Sequence, residues 1–164
     1  RGPLRVFHQG VAAATDAFRD VLFPAAAAHS LDEGLLSPPR VESMAALGGW
    51  VNRNVELNAQ QNQAVESIVK GEARHVPYII FGPPGTGKTT TVVEAIVQCA
   101  RLHTRYPRGF RILVCAPTNT AADLLCLKLL QSQPALRAHV YRLMAYSRGK
   151  DGLENQVLDC SNWD

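Results

Sequence analysis

The chain has 164 residues, of which 46% are hydrophobic and 19% charged, a balance that supports one globular core and excludes disorder of the chain as a whole. Its richest alanine stretch, Val21 to Ala28, is short and broken by Pro24, so no segment is long and apolar enough to cross a bilayer as a helix. The net charge of +3 conceals an asymmetry: residues 101–150 carry nine Lys and Arg against Asp123 alone, while residues 1–100 carry eight against nine Asp and Glu. A basic stretch inside a nearly neutral chain fits either a polyanion partner or a solvated face.

Residues 1–56 are a preceding region in which Val11–Ala14 and Val21–Phe23 suggest two short helices and a linker, interrupted by Pro24, Gly34 and Ser37-Pro38-Pro39. The chain begins at Arg1 with no secretory leader pattern, which reads as a piece of a longer product. Val51–Leu57 is apolar enough for a strand. Asn58 then offers an N-cap to a helix with apolar positions Ala64, Val65, Ile68 and Val69, ended by Gly71. Tyr78–Phe81 is a continuous apolar run between Pro77 and Gly82, the pattern of a buried parallel strand. Val92, Val93, Ile96, Val97 and Ala100 predict a helix beginning near Lys88. Arg111–Ala116 repeats the strand signal, Thr120 to Asp123 resembles a capping box ahead of Leu124, Leu125 and Leu129, and His139–Met144 offers a third strand. Strand and helix alternate, so the expected fold class is α/β with a parallel sheet. Cys99, Cys115, Cys126 and Cys160 show no CxxC pair and no His at zinc-finger spacing, which marks them as reduced and structural.

Gly82, Pro83, Pro84, Gly85, Thr86, Gly87, Lys88 and Thr89 match GxxxxGK followed by Ser or Thr without a gap, between an expected strand and an expected helix. Glycines let the backbone curl so that successive N–H groups face phosphate oxygens, and the helix start adds its positive end. Lys88 would reach the β- and γ-phosphates and Thr89 would give its hydroxyl to Mg²⁺, with Thr90 following in the same turn. The implied cofactors are ATP and Mg²⁺. The octapeptide does not choose among nucleotide machines, but no Asn-Lys-x-Asp or Thr-Lys-x-Asp is present to read guanine, which speaks against a GTPase.

The flanks carry more. Leu57-Asn58-Ala59-Gln60-Gln61-Asn62-Gln63-Ala64-Val65 resembles the LNxxQ…AV segment of superfamily-one helicases of the up-frameshift type. The resemblance implies that Gln61 reads the adenine edge; a polar helix start capped by Asn58 is the alternative. Val114-Cys115-Ala116-Pro117-Thr118-Asn119-Thr120-Ala121-Ala122-Asp123 is similar to motif Ia of that family, with Thr118 standing where serine is usual. Pro117, Thr118, Asn119 and Thr120 are then candidates to hold an RNA backbone through side chains and N–H groups; an ordinary strand-to-helix turn is the alternative. Val140 to Arg148 extends the likeness and adds Arg142 as a nucleic-acid candidate, with an exposed strand edge as an equal reading of Arg142 and Arg148. Together with Pro77–Ile96, Ala122–Leu129 and Cys160–Asp164, these segments look most like the Moloney-leukaemia-virus-ten RNA helicases related to Armitage.

That resemblance implies that residues 57–164 are the N-terminal part of a first RecA-like P-loop lobe. It also implies an ATP-dependent RNA helicase, with single-stranded RNA and proteins of RNA silencing or decay as partners and no membrane.

 The location it implies is the cytoplasm, including its ribonucleoprotein granules. An AAA-type ATPase or another P-loop nucleotide enzyme is the rival enzyme reading, and a non-catalytic nucleotide- and RNA-binding fragment is the rival outside enzymes. No apolar run ending in Asp-Glu follows Lys88, which favours the helicase, because AAA-type ATPases usually show that motif sooner. It also leaves this stretch without the carboxylates that would complete a Mg²⁺ site and activate water.

Overall fold

A computed structural model describes residues 2–17, 19, 44, 49–50, 56–73, 76–105, 111–145, 148 and 152–162. Its elements are α1 (Gly2–Ala17), α2 (Ala59–Lys70), α3 (Lys88–Arg105), α4 (Asn119–Ser132), a 3-10 turn (Pro134–His139) and α5 (Asn155–Leu158).

α2 is the element whose sequence logic is most complete. The Asn58 side chain accepts from the Gln61 N–H at 2.9 Å, and the Gln61 side chain accepts from the Asn58 N–H at 2.9 Å, a reciprocal capping box. At the other end Gly71 sits at φ 68°, where a side chain would be strained, and its N–H bonds Ile68 O at 3.1 Å while the Glu72 N–H reaches Ser67 O at 3.0 Å. α3 begins at Lys88 as its periodicity predicts. α4 begins two residues earlier than the Thr120 signal suggests. Thr118 is its N-cap, extended at φ −133°, with its hydroxyl oxygen accepting from the Ala121 N–H at 3.2 Å.

The expected parallel sheet is not formed: among the described residues there is no strand. Residues 77–83 and 111–116 run without helical or ladder structure, and Phe81 and Leu113 are 94% and 88% exposed. Apolar, β-branched runs favour an extended backbone, but a strand also needs a neighbour to take its N–H and C=O groups, and neither run finds one here. The third expected strand is replaced by the 3-10 turn and one isolated parallel bridge, Arg142 with Ser161. In the preceding region the first short helix is the sixteen-residue α1. The second, at 21–23, and most of the Val51–Leu57 strand lie outside the described residues.

Among the described residues, three small apolar clusters hold the chain. Val65 and Val69 of α2 meet Ala95 of α3, with Met44 buried and Trp50, Leu57 and Cys99 packed around them. Val93 and Val97, on another face of α3, meet Leu129 of α4. Cys126 and Leu130 of α4 meet Met144, Val157 and Cys160. Fully burying a valine such as Val65 or Val97 stabilises the fold by about 1.5–3 kcal/mol. Ser67, Thr91, Glu94, Gln98 and Ser161 are buried polar residues among the described ones; Gln98, fully buried, donates to Glu94 Oε1 at 2.7 Å and accepts from Arg101 at 3.2 Å.

All four cysteines are free thiols, and the sulfurs of Cys126 and Cys160 lie 3.6 Å apart. Burial, and secondarily the Cys160 thiol, push Cys126 from its ordinary 9.0 up to about 12. The folded state therefore keeps this proton longer than the unfolded chain does. The resulting stability is complete below pH 9.0 and is lost as pH rises toward about 12. Denaturation midpoints should fall through that window, and less steeply in Cys126→Ala; equal slopes would refute the assignment.

Candidate nucleotide site and its flanks

The phosphate loop, residues 82–87, leads directly into α3. Gly85 and Gly87 adopt φ 81° and 79°, in the left-handed region that glycine enters without strain. A Cβ on Gly82 would stand 2.8 Å from Thr86 Oγ1, and one on Gly87 would stand 2.5 Å from Gln61 Nε2. Both positions thus need a bare backbone. The Thr86 hydroxyl donates to Pro83 O at 2.8 Å and fixes the bend. Pro83, Pro84, Gly85 and Thr86 are exposed, while Gly82, Gly87, Lys88, Thr89 and Thr90 are half-buried.

Lys88 folds back over the loop, its ammonium donating to Gly82 O at 2.7 Å and to Pro83 O at 2.6 Å. These acceptors are neutral, so a phosphate oxygen is the stronger partner for the same ammonium. The first N–H groups of α3 have no intrahelical acceptor and point out of the helix start. Glycine backbone, cation and helix terminus thus fit a polyphosphate. Thr89 stands in the first turn, where its hydroxyl could join a metal held by that polyphosphate.

Gln61 is tied to this loop. Its amide nitrogen donates to Thr86 O at 3.0 Å while its amide oxygen closes the α2 capping box. One side chain thus joins the start of α2 to the loop twenty-five residues later. The capping reading of this segment is realised, and the bond from Gln61 to the loop is a contact that the motif did not announce.

Pro117, Thr118 and Thr120 are exposed and Asn119 is half-buried at the start of α4. No hydrogen bond or ion pair joins them to the phosphate loop among the described residues; the two groups are connected through the α3–α4 contact of Val93, Val97 and Leu129. Arg142, the remaining nucleic-acid candidate, is engaged by the chain itself. Its Nε and Nη2 donate to Asp123 Oδ1 at 2.9 and 2.8 Å, and Arg148 approaches Asp123 Oδ2 at 3.3 Å. Motif reading did not anticipate this cluster. Its signal was the presence of Asp123 as the single acid among residues 101–150.

The model of the AAA domain family AAA_11 matches residues 56–163. The chain belongs to that family. MOV-10 of Gallus gallus, a helicase by name, is 44% identical over the whole chain, which covers 16% of its length. The RNA helicase Mov10l1 of Mus musculus is 50% identical over 65% of the chain and 8% of its own length, and armi of Drosophila melanogaster, also named as an RNA helicase, is 42% identical over 66% and 9%. No solved structure matches. The chain therefore spans a small part of the relatives it resembles, and their names favour the helicase reading over other P-loop enzymes.

Proposed function

We propose that this chain is the ATP-binding part of an ATP-dependent RNA helicase whose hydrolysis cycle drives movement along, or unwinding of, single-stranded RNA. The observation that carries the reading is the uninterrupted phosphate loop with Gln61 already hydrogen-bonded to it, in a chain similar along its length to proteins named as helicases. In this reading Gly82 to Thr90 cradle the triphosphate, Lys88 neutralises its β- and γ-oxygens, Thr89 completes the Mg²⁺ shell and Gln61 turns toward the adenine. Bound ATP with Mg²⁺ supplies the phosphoanhydride bond whose cleavage powers the cycle. The carboxylates and arginines that would activate water and stabilise the transition state come from outside this stretch.

Pro117 to Thr120 hold the RNA backbone. Their contacts go to phosphates and sugars and carry no base preference. A hydroxyl that accepts the Ala121 N–H still has its own hydrogen to donate, so Thr118 can cap α4 and bind RNA at once. Activity in RNA silencing or decay, partners drawn from those processes, and a cytoplasmic or granule location complete the proposal and rest on the family resemblance.

The deciding measurement separates RNA from nucleotide in the full-length protein. Thr118→Ala with Asn119→Ala should lower RNA-stimulated hydrolysis and unwinding about tenfold or more, as expected for two lost bonds to charged oxygens. Affinity for an ATP analogue without RNA should stay within about twofold. Loss of analogue binding with RNA affinity intact would place these residues in the nucleotide pocket and overturn the RNA assignment.

A further inference from the structure

The sequence pattern marks Arg142 as a residue that could touch RNA, yet four of its five N–H groups are already engaged within the chain. An arginine offers five N–H groups. Nε and Nη2 go to Asp123 Oδ1, Nη2 also faces Asn119 O at 3.4 Å, and Nη1 donates to Leu143 O. The pair is well covered, with side chains 11% and 13% exposed. Its backbone is fixed too: the Arg142 N–H donates to Cys160 O at 2.7 Å, beside the bridge with Ser161. The residue therefore runs as a strut from that bridge to the first turns of α4, ending on the carboxylate and on the carbonyl of Asn119.

We propose that Arg142 and Asp123 form a positioning pair that holds the Asn119 end of α4 where RNA is gripped, and that Arg142 does not itself bind an RNA phosphate. This rests on the RNA role given above to Thr118 and Asn119. A phosphate drawing the guanidinium away would strand the Asp123 carboxylate, which would keep only Arg148 at 3.3 Å. Asp123 is the informative member, because a carboxylate repels RNA. If Arg142 bound phosphate, removing the charge of Asp123 would free the arginine and tighten binding. If the pair acts by positioning, the same change loosens the grip.

The test uses the full-length protein and a labelled single-stranded oligouridylate, titrated over a series of KCl concentrations, with an ATP analogue titrated separately without RNA. Asp123→Asn should weaken RNA binding about fivefold to tenfold, with its salt slope and the RNA-free analogue affinity unchanged. Arg142→Lys, which keeps the charge but loses the fork on Asp123, should weaken it similarly. Asp123→Asn combined with Arg142→Gln should be no worse than the weaker single variant, because the two residues act as one unit. In RNA-stimulated hydrolysis the RNA concentration for half-stimulation should rise while the rate at saturating RNA holds. Tighter or unchanged binding in Asp123→Asn overturns the proposal, as does full binding in Arg142→Lys beside a slope shallower by about 0.7 in Arg142→Gln. A full-length protein that binds no RNA overturns the RNA reading itself and this extension with it. Should Asp123→Asn melt the fold, seen as loss of analogue binding, Arg142→Lys decides alone.

Discussion

In the full-length protein, Lys88→Ala should cut ATP turnover by about a thousandfold or more while leaving the circular dichroism spectrum unchanged. From Gly82 to Thr91, Lys88 is the one cationic side chain, so no neighbour in the loop or in the first turn of α3 can replace its charge on the γ-phosphate. The fold should tolerate the change because, among the described residues, the ammonium bonds the loop carbonyls of Gly82 and Pro83 and Lys88 belongs to none of the apolar clusters. Phosphate release and a spectrum, measured on the same preparation, check both halves. Turnover at the unsubstituted rate would remove the phosphate-loop assignment.

Gly87→Ala should be nearly as damaging, by a different route. A side chain at φ 79° costs about 1–2 kcal/mol, and the new Cβ would stand 2.5 Å from Gln61 Nε2. Gln61 must then withdraw, giving up its bond to Thr86 O and endangering the capping bond it accepts from Asn58. We expect affinity for a fluorescent ATP analogue to fall about tenfold to a hundredfold, and Tm to drop by about 4–8 °C per kcal/mol lost. Adding Gln61→Ala removes the collision but leaves the backbone strain and takes away the proposed adenine contact, so the double variant should not recover the affinity of the unsubstituted protein. Analogue affinity equal to that of the unsubstituted protein would show that the loop does not need its bare backbone there.

What could be read from the sequence was what is local. The Asn58 cap of α2, its Gly71 terminus and the start of α3 are each written in a few adjacent residues, and all three are found. The phosphate loop was legible for the same reason, since its glycines answer to backbone angles rather than to distant partners. The sheet was not legible. Tyr78–Phe81 and Arg111–Ala116 carry the composition of strands, but pairing depends on a second edge that no local pattern supplies. The start of α4 was misplaced because Thr118 and Thr120 are both able caps, and the choice fell to the one whose hydroxyl meets the Ala121 N–H. Arg142 looked exposed for want of a view across to Asp123, nineteen residues before it.

α3 has a neighbour on each side: Ala95 and Cys99 face α2, and Val93 and Val97 face α4. The helix proposed to receive the phosphates is thus held like an axle between two bearings, while the loop in front of it is held by polar bonds such as those of Thr86 and Lys88. In that reading, nucleotide exchange would rearrange those bonds and leave the packed faces of α3 in place. In the proposed helicase, a movement begun at the γ-phosphate would reach α4 and the residues at its start through the packing of Val93 and Val97 on Leu129.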